Sequence, residues 1–299
     1  MLSRQATLER ERRWARLAAI SAILVPILFV PQRFLLGQFI GPLGGLETDV
    51  LPYIQANASE LAVLQVLRGL SFVAMIAPLL YLFFAARARS ERVAPALVAF
   101  VFIGPLLFGA QAVLTAVAQQ GLVDQFVADA GRGGDVYGLL RSLGTDSTLS
   151  STASTLLLPA ILGLMVAMIY VPLQSMRTGL LTRFSATFAM ALAASMILLS
   201  GFFGVPLDIP IMFMSFWFLF VGLLILKVGV RRPPAWDAGV AIPWPKPGEP
   251  ARPVEAPASP GDFVDAEGEE TTGRTEPAIN PNAARRERAK RKRRKQRRN

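Results

Sequence analysis

The chain contains no cysteine and no histidine. Without cysteine there is neither a disulfide nor thiol chemistry, and cysteine usage carries no information on redox compartment. Without histidine the chain lacks the commonest general base near neutral pH and a favoured zinc ligand. Serine–histidine and cysteine–histidine catalysis therefore cannot operate within this single chain. Charge is the third scarcity: 17% of the 299 residues are charged, against 53% hydrophobic. The long apolar blocks contain no Asp or Glu at all. Intramembrane aspartyl proteolysis, which needs paired carboxylates, has no residues to use. Proton-coupled transport normally draws on an intramembrane Asp, Glu or His, and has none here. There is no phosphate loop of GxxxxGK[ST] spacing and no metal-ligand cluster. The expectation is a non-enzymatic protein with no catalytic residue, no metal and no cofactor.

What the chain has is apolar runs of about twenty residues or more, the length that crosses about 30 Å of hydrocarbon. They predict spans at about 17–38, 61–86, 94–118, 154–175, 183–203 and 210–230. The fold class is therefore all-α, a polytopic transmembrane bundle of six helices. Arg4, Arg10, Arg12, Arg13 and Arg16 precede the first span. Arg87, Arg89 and Arg92 follow the second, Arg177 and Arg183 flank the turn after the fourth, and Arg231 and Arg232 follow the sixth. The alternate connections hold Glu47, Asp49, Glu60 and Asp208, and residues 39–60 hold no Lys or Arg. In the 119–153 loop, Arg132 and Arg141 face Asp124, Asp129, Asp135 and Asp146. Lys/Arg excess marks the cytoplasmic side. The expectation is a multi-pass protein of the cell membrane with both termini in the cytoplasm. A cleaved signal is the rival reading of the N-terminus, but Gln32-Arg33-Phe34-Leu35-Leu36 continues the apolar run where a polar mature start is needed.

Pro26, Pro31, Pro78, Pro105, Pro159 and Pro172 fall within spans. Each removes a backbone donor and kinks its helix, and neighbouring helices can satisfy the freed carbonyls. Ordinary kinking is preferred to a gating hinge. Ala186, Ala189 and Ala193 offer a small-residue face for close helix approach. The 119–153 loop is longer than a plain connection requires. LVDQFVADA (122–130) and VYGLLRSL (136–143), separated by GRGG, read as two short interfacial helices, with passive packing at the headgroups preferred to a lid. TLSSTAST (148–155) supplies candidate capping hydroxyls for the fourth span. No internal repeat is visible, which removes the best pointer to an inverted-repeat transporter.

Residues 1–16 form a basic N-terminal segment and 17–232 the six-helix domain. Residues 233–284 hold eleven prolines and few large apolar side chains, the composition of a disordered linker. Such a chain spans roughly 40 Å root-mean-square. The polybasic tail, 285–299, carries the whole net charge of +10. Its cations are Arg285, Arg286, Arg288, Lys290, Arg291, Lys292, Arg293, Arg294, Lys295, Arg297 and Arg298. They suit anionic lipid headgroups at about 1 kcal/mol per residue near the surface. Salt-dependent contact with the ribosome or nucleic acid is the second reading, and help in orienting the chain during insertion is the third. No aromatic residue interleaves the tail, so base stacking is not expected.

Within the spans, Arg68 is the candidate ligand-binding charge. Eight helical residues place it about 12 Å deeper than Glu60, where a charge costs at least about 2–3 kcal/mol. Gln65, Gln111 and Arg33 complete the candidate set, a polar chamber opening to the outer leaflet for an anionic headgroup or metabolite. The structural alternative has Arg68 snorkelling, or bonding to helix carbonyls and outer-loop carboxylates, and the residues favour it.

LRGLSFVAMIAPLLYLFFAARARS (67–90) and LPAILGLMVAMIYVPLQSMRTGLLTRFSATFAMALA (158–193) give a layout that resembles a bacterial six-transmembrane-helix family of unknown function. The likeness is one of pattern, covers about residues 15–232, and carries over no site residues. The basic tail also resembles that of some bacterial membrane insertases, whose intramembrane arginine is loosely echoed by Arg68. The leading expectation is a membrane protein that binds lipid or a small amphiphile. The alternatives are an insertion or translocation factor recruiting ribosomes through its tail, and a small transporter. A polar pathway through Arg68 and Gln111 would favour transport, and a solid apolar core would count against it.

Overall fold

A computed structural model describes residues 4–40, 57–130, 148–203, 206–230 and 232–244. Every regular element among them is helical. α1 is Arg4–Ile40, α2 Ala58–Ala74, α3 Ile76–Arg89, α4 Val98–Ala130, α5 Thr148–Arg177, α6 Arg183–Ile197, α7 Asp208–Leu226 and α8 Ala235–Ala238. A 3₁₀ turn, Pro95–Leu97, leads into α4, and a π turn, Leu198–Phe202, extends α6. Five stretches are long and apolar enough to cross a membrane: Gln5–Gln32, Ala58–Arg89, Pro95–Ala118, Ser151–Arg177 and Asp208–Leu226. Large apolar side chains lie exposed around the outside, among them Ile20, Ile27, Ile103, Leu158, Phe188 and Phe216. A surface so apolar is suited to lipid rather than water.

Small residues set the helix crossings. Where α4 meets α5, Gly104 and Gly163 touch backbone to backbone; a Cβ at Gly163 would sit 2.9 Å from the Gly104 Cα. Gly69 of α2 meets Gly109 of α4, and Gly222 of α7 meets Ala19, Ala22 and Ile23 of α1. Ala186, Ala189 and Ala193 of α6 are fully buried. Aromatic rings fill the centre: Phe72 stacks on Phe108 at 4.5 Å and meets Phe29 edge-on at 6.2 Å. The α2–α3 break has a definite cause. Pro78 has no N–H to give to the Ala74 carbonyl. Ser21 of α1 donates to that oxygen instead, at 2.7 Å, so a neighbouring helix satisfies what the proline freed.

Contacts gather the basic ends at one end of the bundle. Arg10 of α1 lies over the Phe84 ring of α3, and Arg89 of α3 bonds to the Ala235 carbonyl beyond α7. Trp236 donates to the Leu180 carbonyl in the α5–α6 turn. These residues fall in a compact unit, Met1–Pro247.

The structure extends or corrects the sequence reading in four places. The basic N-terminal segment is helical from Arg4 and continuous with the first span. α4 runs unbroken to Ala130, so 122–130 is not a separate interfacial helix. No proline interrupts it there, and Gly121 costs only about 1 kcal/mol relative to alanine. The 136–143 segment lies outside the described residues. Thr152 and Thr155 do not cap α5; their hydroxyls donate back to the Thr148 and Ser151 carbonyls, four residues earlier, inside the helix. Finally, residues 233–244 do not belong with the linker. Ala235 and Trp236 are buried, the Ile242 N–H donates to the Thr178 carbonyl, and Trp244 donates to the Leu181 carbonyl. Residues 245–299, with the rest of the linker and the polybasic tail, lie outside the described residues.

Candidate functional site

Arg68 projects from α2 to the first residue of α7. Its Nη2 donates to Asp208 Oδ1 at 2.6 Å, with both side chains 19% exposed. Asp208 is well placed for this role. A carboxylate in the first turn of a helix also gains from the positive end of the helix dipole. Gln65 is buried one turn away on α2, and Gln32 of α1 is buried one turn beyond the Phe29–Phe72 contact. The Arg68 Nε and Gln32 Nε2 donors have no acceptor among the described residues. Gln111 lies two residues past the Gly69–Gly109 crossing, but its amide donates to Thr115 within its own helix at 3.1 Å. No hydrogen bond among the described residues joins it to Arg68. Arg33 lies in α1, and its side chain is outside the described set. The four residues thus share one end of the bundle, where an ion pair between α2 and α7 is the dominant contact.

The opposite end holds a second arginine that sequence reasoning counted only as a loop charge. The helix continues past Ala86, so Tyr81, Ala85 and Arg89 fall on one buried face of α3. The Arg89 side chain is fully enclosed. It pairs with Glu11 of α1 through Nη1 and Nη2, and donates to the carbonyls of Ala85 at 2.9 Å and Ala235 at 3.2 Å. Trp236 stacks on Tyr81 at 5.6 Å, with the Arg89 and Arg232 guanidinium groups over its ring. Arg232 in turn donates to the Leu224 and Ile225 carbonyls that end α7. The segment after α7 therefore forms a floor under this end of the bundle.

Beside that floor, α1 and α3 diverge and leave a groove of about 190 Å³. Thr7, Arg10, Glu11, Trp14, Leu17 and Ala18 form its α1 wall. Ala77, Leu80, Tyr81, Phe84, Ala85 and Ala88 form the α3 wall. Both sets recur at three- and four-residue steps, so each is a single helical stripe. Three alanines on α3 leave the hollow, and Trp14, Leu17, Leu80 and Phe84 make it apolar. About eleven helical residues give it a length near 16 Å. Its charged groups, Arg10 and Glu11, lie at the Thr7–Glu11 end. A cleft apolar along its length and charged at one mouth has the polarity pattern of an amphiphile. Comparison with family models, with curated proteins and with solved structures found no match. The residues alone carry the functional reading.

Proposed function

We propose that the chain is a non-enzymatic six-span membrane protein that binds an amphiphile in the groove between α1 and α3. The groove carries this reading: it combines an apolar length with a charged mouth on the basic end of the bundle. The proposed sixth crossing is α6 with its π turn, Arg183–Phe202, long enough at about 30 Å to reach across the hydrocarbon. The basic end that gathers Arg10, Arg89 and Arg232 is assigned to the cytoplasmic side by the Lys/Arg rule, with both termini there. The polybasic tail then meets the anionic inner leaflet of the cell membrane. The centre of the described bundle is filled by Phe29, Phe72 and Phe108 and closed by glycine crossings. This packing favours binding over passage, so the small-transporter reading is set aside. The Arg68 end is assigned a structural role, because Asp208 already meets its charge.

The test is lipid retention by the full chain in mild detergent at high salt, read by native mass spectrometry. The wild type should keep a phospholipid that Ala77→Phe and Ala88→Phe, filling opposite ends of the groove, both lose. Phe216→Ala on the outer face of α7 should keep it. Unchanged retention in both filled variants would overturn the assignment. Topology is read by membrane-impermeant thiol labelling of intact cells, since the chain has no cysteine of its own. Asn57→Cys should label and Ser90→Cys should not; the reverse pattern would invert the orientation.

A further inference from the structure

The groove's mouth has a definite charge. Glu11 and Arg10 both line it, but they are not equivalent. Glu11 is neutralised from behind by Arg89, whose guanidinium is enclosed and committed to it. Arg10 is exposed, rests on the Phe84 ring at 5.0 Å, and is paired with no carboxylate among the described residues. A cation over an aromatic face is held in place without losing its charge. With Glu11 cancelled, one positive charge remains at the mouth of an apolar cleft. Arg12, Arg13 and Arg16 on the same helix are exposed as well, adding to the positive field there.

We propose that the α1–α3 groove selects a phospholipid with an anionic headgroup, its phosphate against Arg10 and one acyl chain along Leu17, Leu80 and Ala77. This inference rests on the amphiphile-binding reading and adds the ligand's charge class. A guanidinium makes a charge-assisted contact with a phosphate; both lipid classes carry that phosphate, and the preference comes from the headgroup cation that offsets its charge in the zwitterionic lipid and is missing from the anionic one. One basic residue near the membrane surface contributes about 1 kcal/mol, which corresponds to about a fivefold preference over a zwitterionic lipid.

The test uses single-cysteine variants of the full, otherwise cysteine-free chain, labelled with a small fluorophore. Ile20→Cys, exposed on α1 beside the inner end of the groove and outside its lining, reports the groove. Leu226→Cys, on α7, reports bulk lipid. Each is reconstituted in phosphatidylcholine vesicles containing, at equal mole fraction, dibrominated phosphatidylglycerol or dibrominated phosphatidylcholine. Any enrichment of anionic lipid by the polybasic tail raises quenching at both positions and cancels in their ratio. The anionic-to-zwitterionic quenching ratio should be about fivefold higher at Ile20→Cys than at Leu226→Cys. Adding Arg10→Gln should bring it down to the Leu226→Cys value. Equal ratios at the two positions would overturn the charge selectivity, as would a raised ratio that survives Arg10→Gln. In either case, Ile20→Cys quenching above the reference with both lipids would leave amphiphile binding standing. No extra quenching at Ile20→Cys with either lipid would sink both readings.

Discussion

Arg89→Ala is the most informative single change at the basic end of the bundle. The side chain has no exposed surface, and it holds together three parts of the chain: Glu11 on α1, Ala85 on its own helix, and Ala235 beyond α7. Truncation strands the Glu11 carboxylate, whose side chain is 11% exposed, and leaves the Ala235 carbonyl without its donor. Breaking a buried pair by removing one partner costs about 3–5 kcal/mol. The lost cation–π contact with Trp236 and the orphaned carbonyl place Arg89→Ala in the upper half of that range. Glu11→Ala should cost less, because the guanidinium keeps its carbonyl acceptors. The double variant no longer buries an unpaired charge, so it should recover about 1–3 kcal/mol relative to the sum of the singles. Reversible unfolding in mixed micelles of rising SDS fraction measures all three. Arg89→Ala costing under about 1 kcal/mol, or strictly additive singles, would refute the reasoning. The groove supplies a second readout. With Arg89 gone, the Glu11 charge faces the proposed headgroup site unopposed, so the anionic preference at Ile20→Cys should vanish.

Two further predictions concern packing and the other ion pair. Gly104→Ala drives a Cβ into the α5 backbone at Leu164 and should cost about 1–3 kcal/mol, since a backbone cannot step aside as a side chain can. Gly121→Ala on the same helix meets nothing within 4 Å and should stabilise by up to about 1 kcal/mol. The same SDS titration checks both, and equal effects would show that close crossing does not set the α4–α5 spacing. Arg68→Ala should cost about 1–3 kcal/mol, less than Arg89→Ala because both partners of that pair are partly exposed. It should leave lipid retention by the groove unchanged, and lost retention would return Arg68 to the ligand site.

Hydrophobic run length and arginine placement made the helical, membrane-suited character legible, because both are local properties of sequence. The prolines were legible in the same way: that Pro78 frees a carbonyl follows from its ring. That Ser21 satisfies it does not, since the partner lies 53 residues away. Arg87, Arg89 and Arg92 look alike as loop charges, yet Arg89 alone continues the Tyr81–Ala85 face into the buried side of α3. The periodicity carried that signal, and ending the span at residue 86 hid it. Two tryptophans in a proline-rich stretch, Trp236 and Trp244, were the clue that the chain stays packed past 233. The groove was out of reach, because it needs the register between stripes about seventy residues apart. Each stripe read separately is only an amphipathic face with small residues.

The two arginine pairs lie at opposite ends of the bundle. Asp208 opens α7 and holds Arg68 of α2, while Arg89 of α3 pairs with Glu11 of α1 and donates to Ala235, the first residue of α8. α2 and α3 are the two halves of a helix broken at Met75. A broken helix has freedom to bend that a continuous one lacks, and these two ties fix its halves, α2 to α7 and α3 to α1 and α8. α1 packs along both α7 and the broken helix, and completes the arrangement by supplying Ser21 at the break and Glu11 at the basic end. The position of the groove follows. α3 is held by Arg89 at its end and by Ser21 just before its start. Between those points Ala77, Ala85 and Ala88 leave the hollow that Leu80, Tyr81 and Phe84 border on the side facing α1. Because the Arg89 tie also uses up the charge of Glu11, the bond that fixes the wall of the groove leaves Arg10 to set the sign of its mouth.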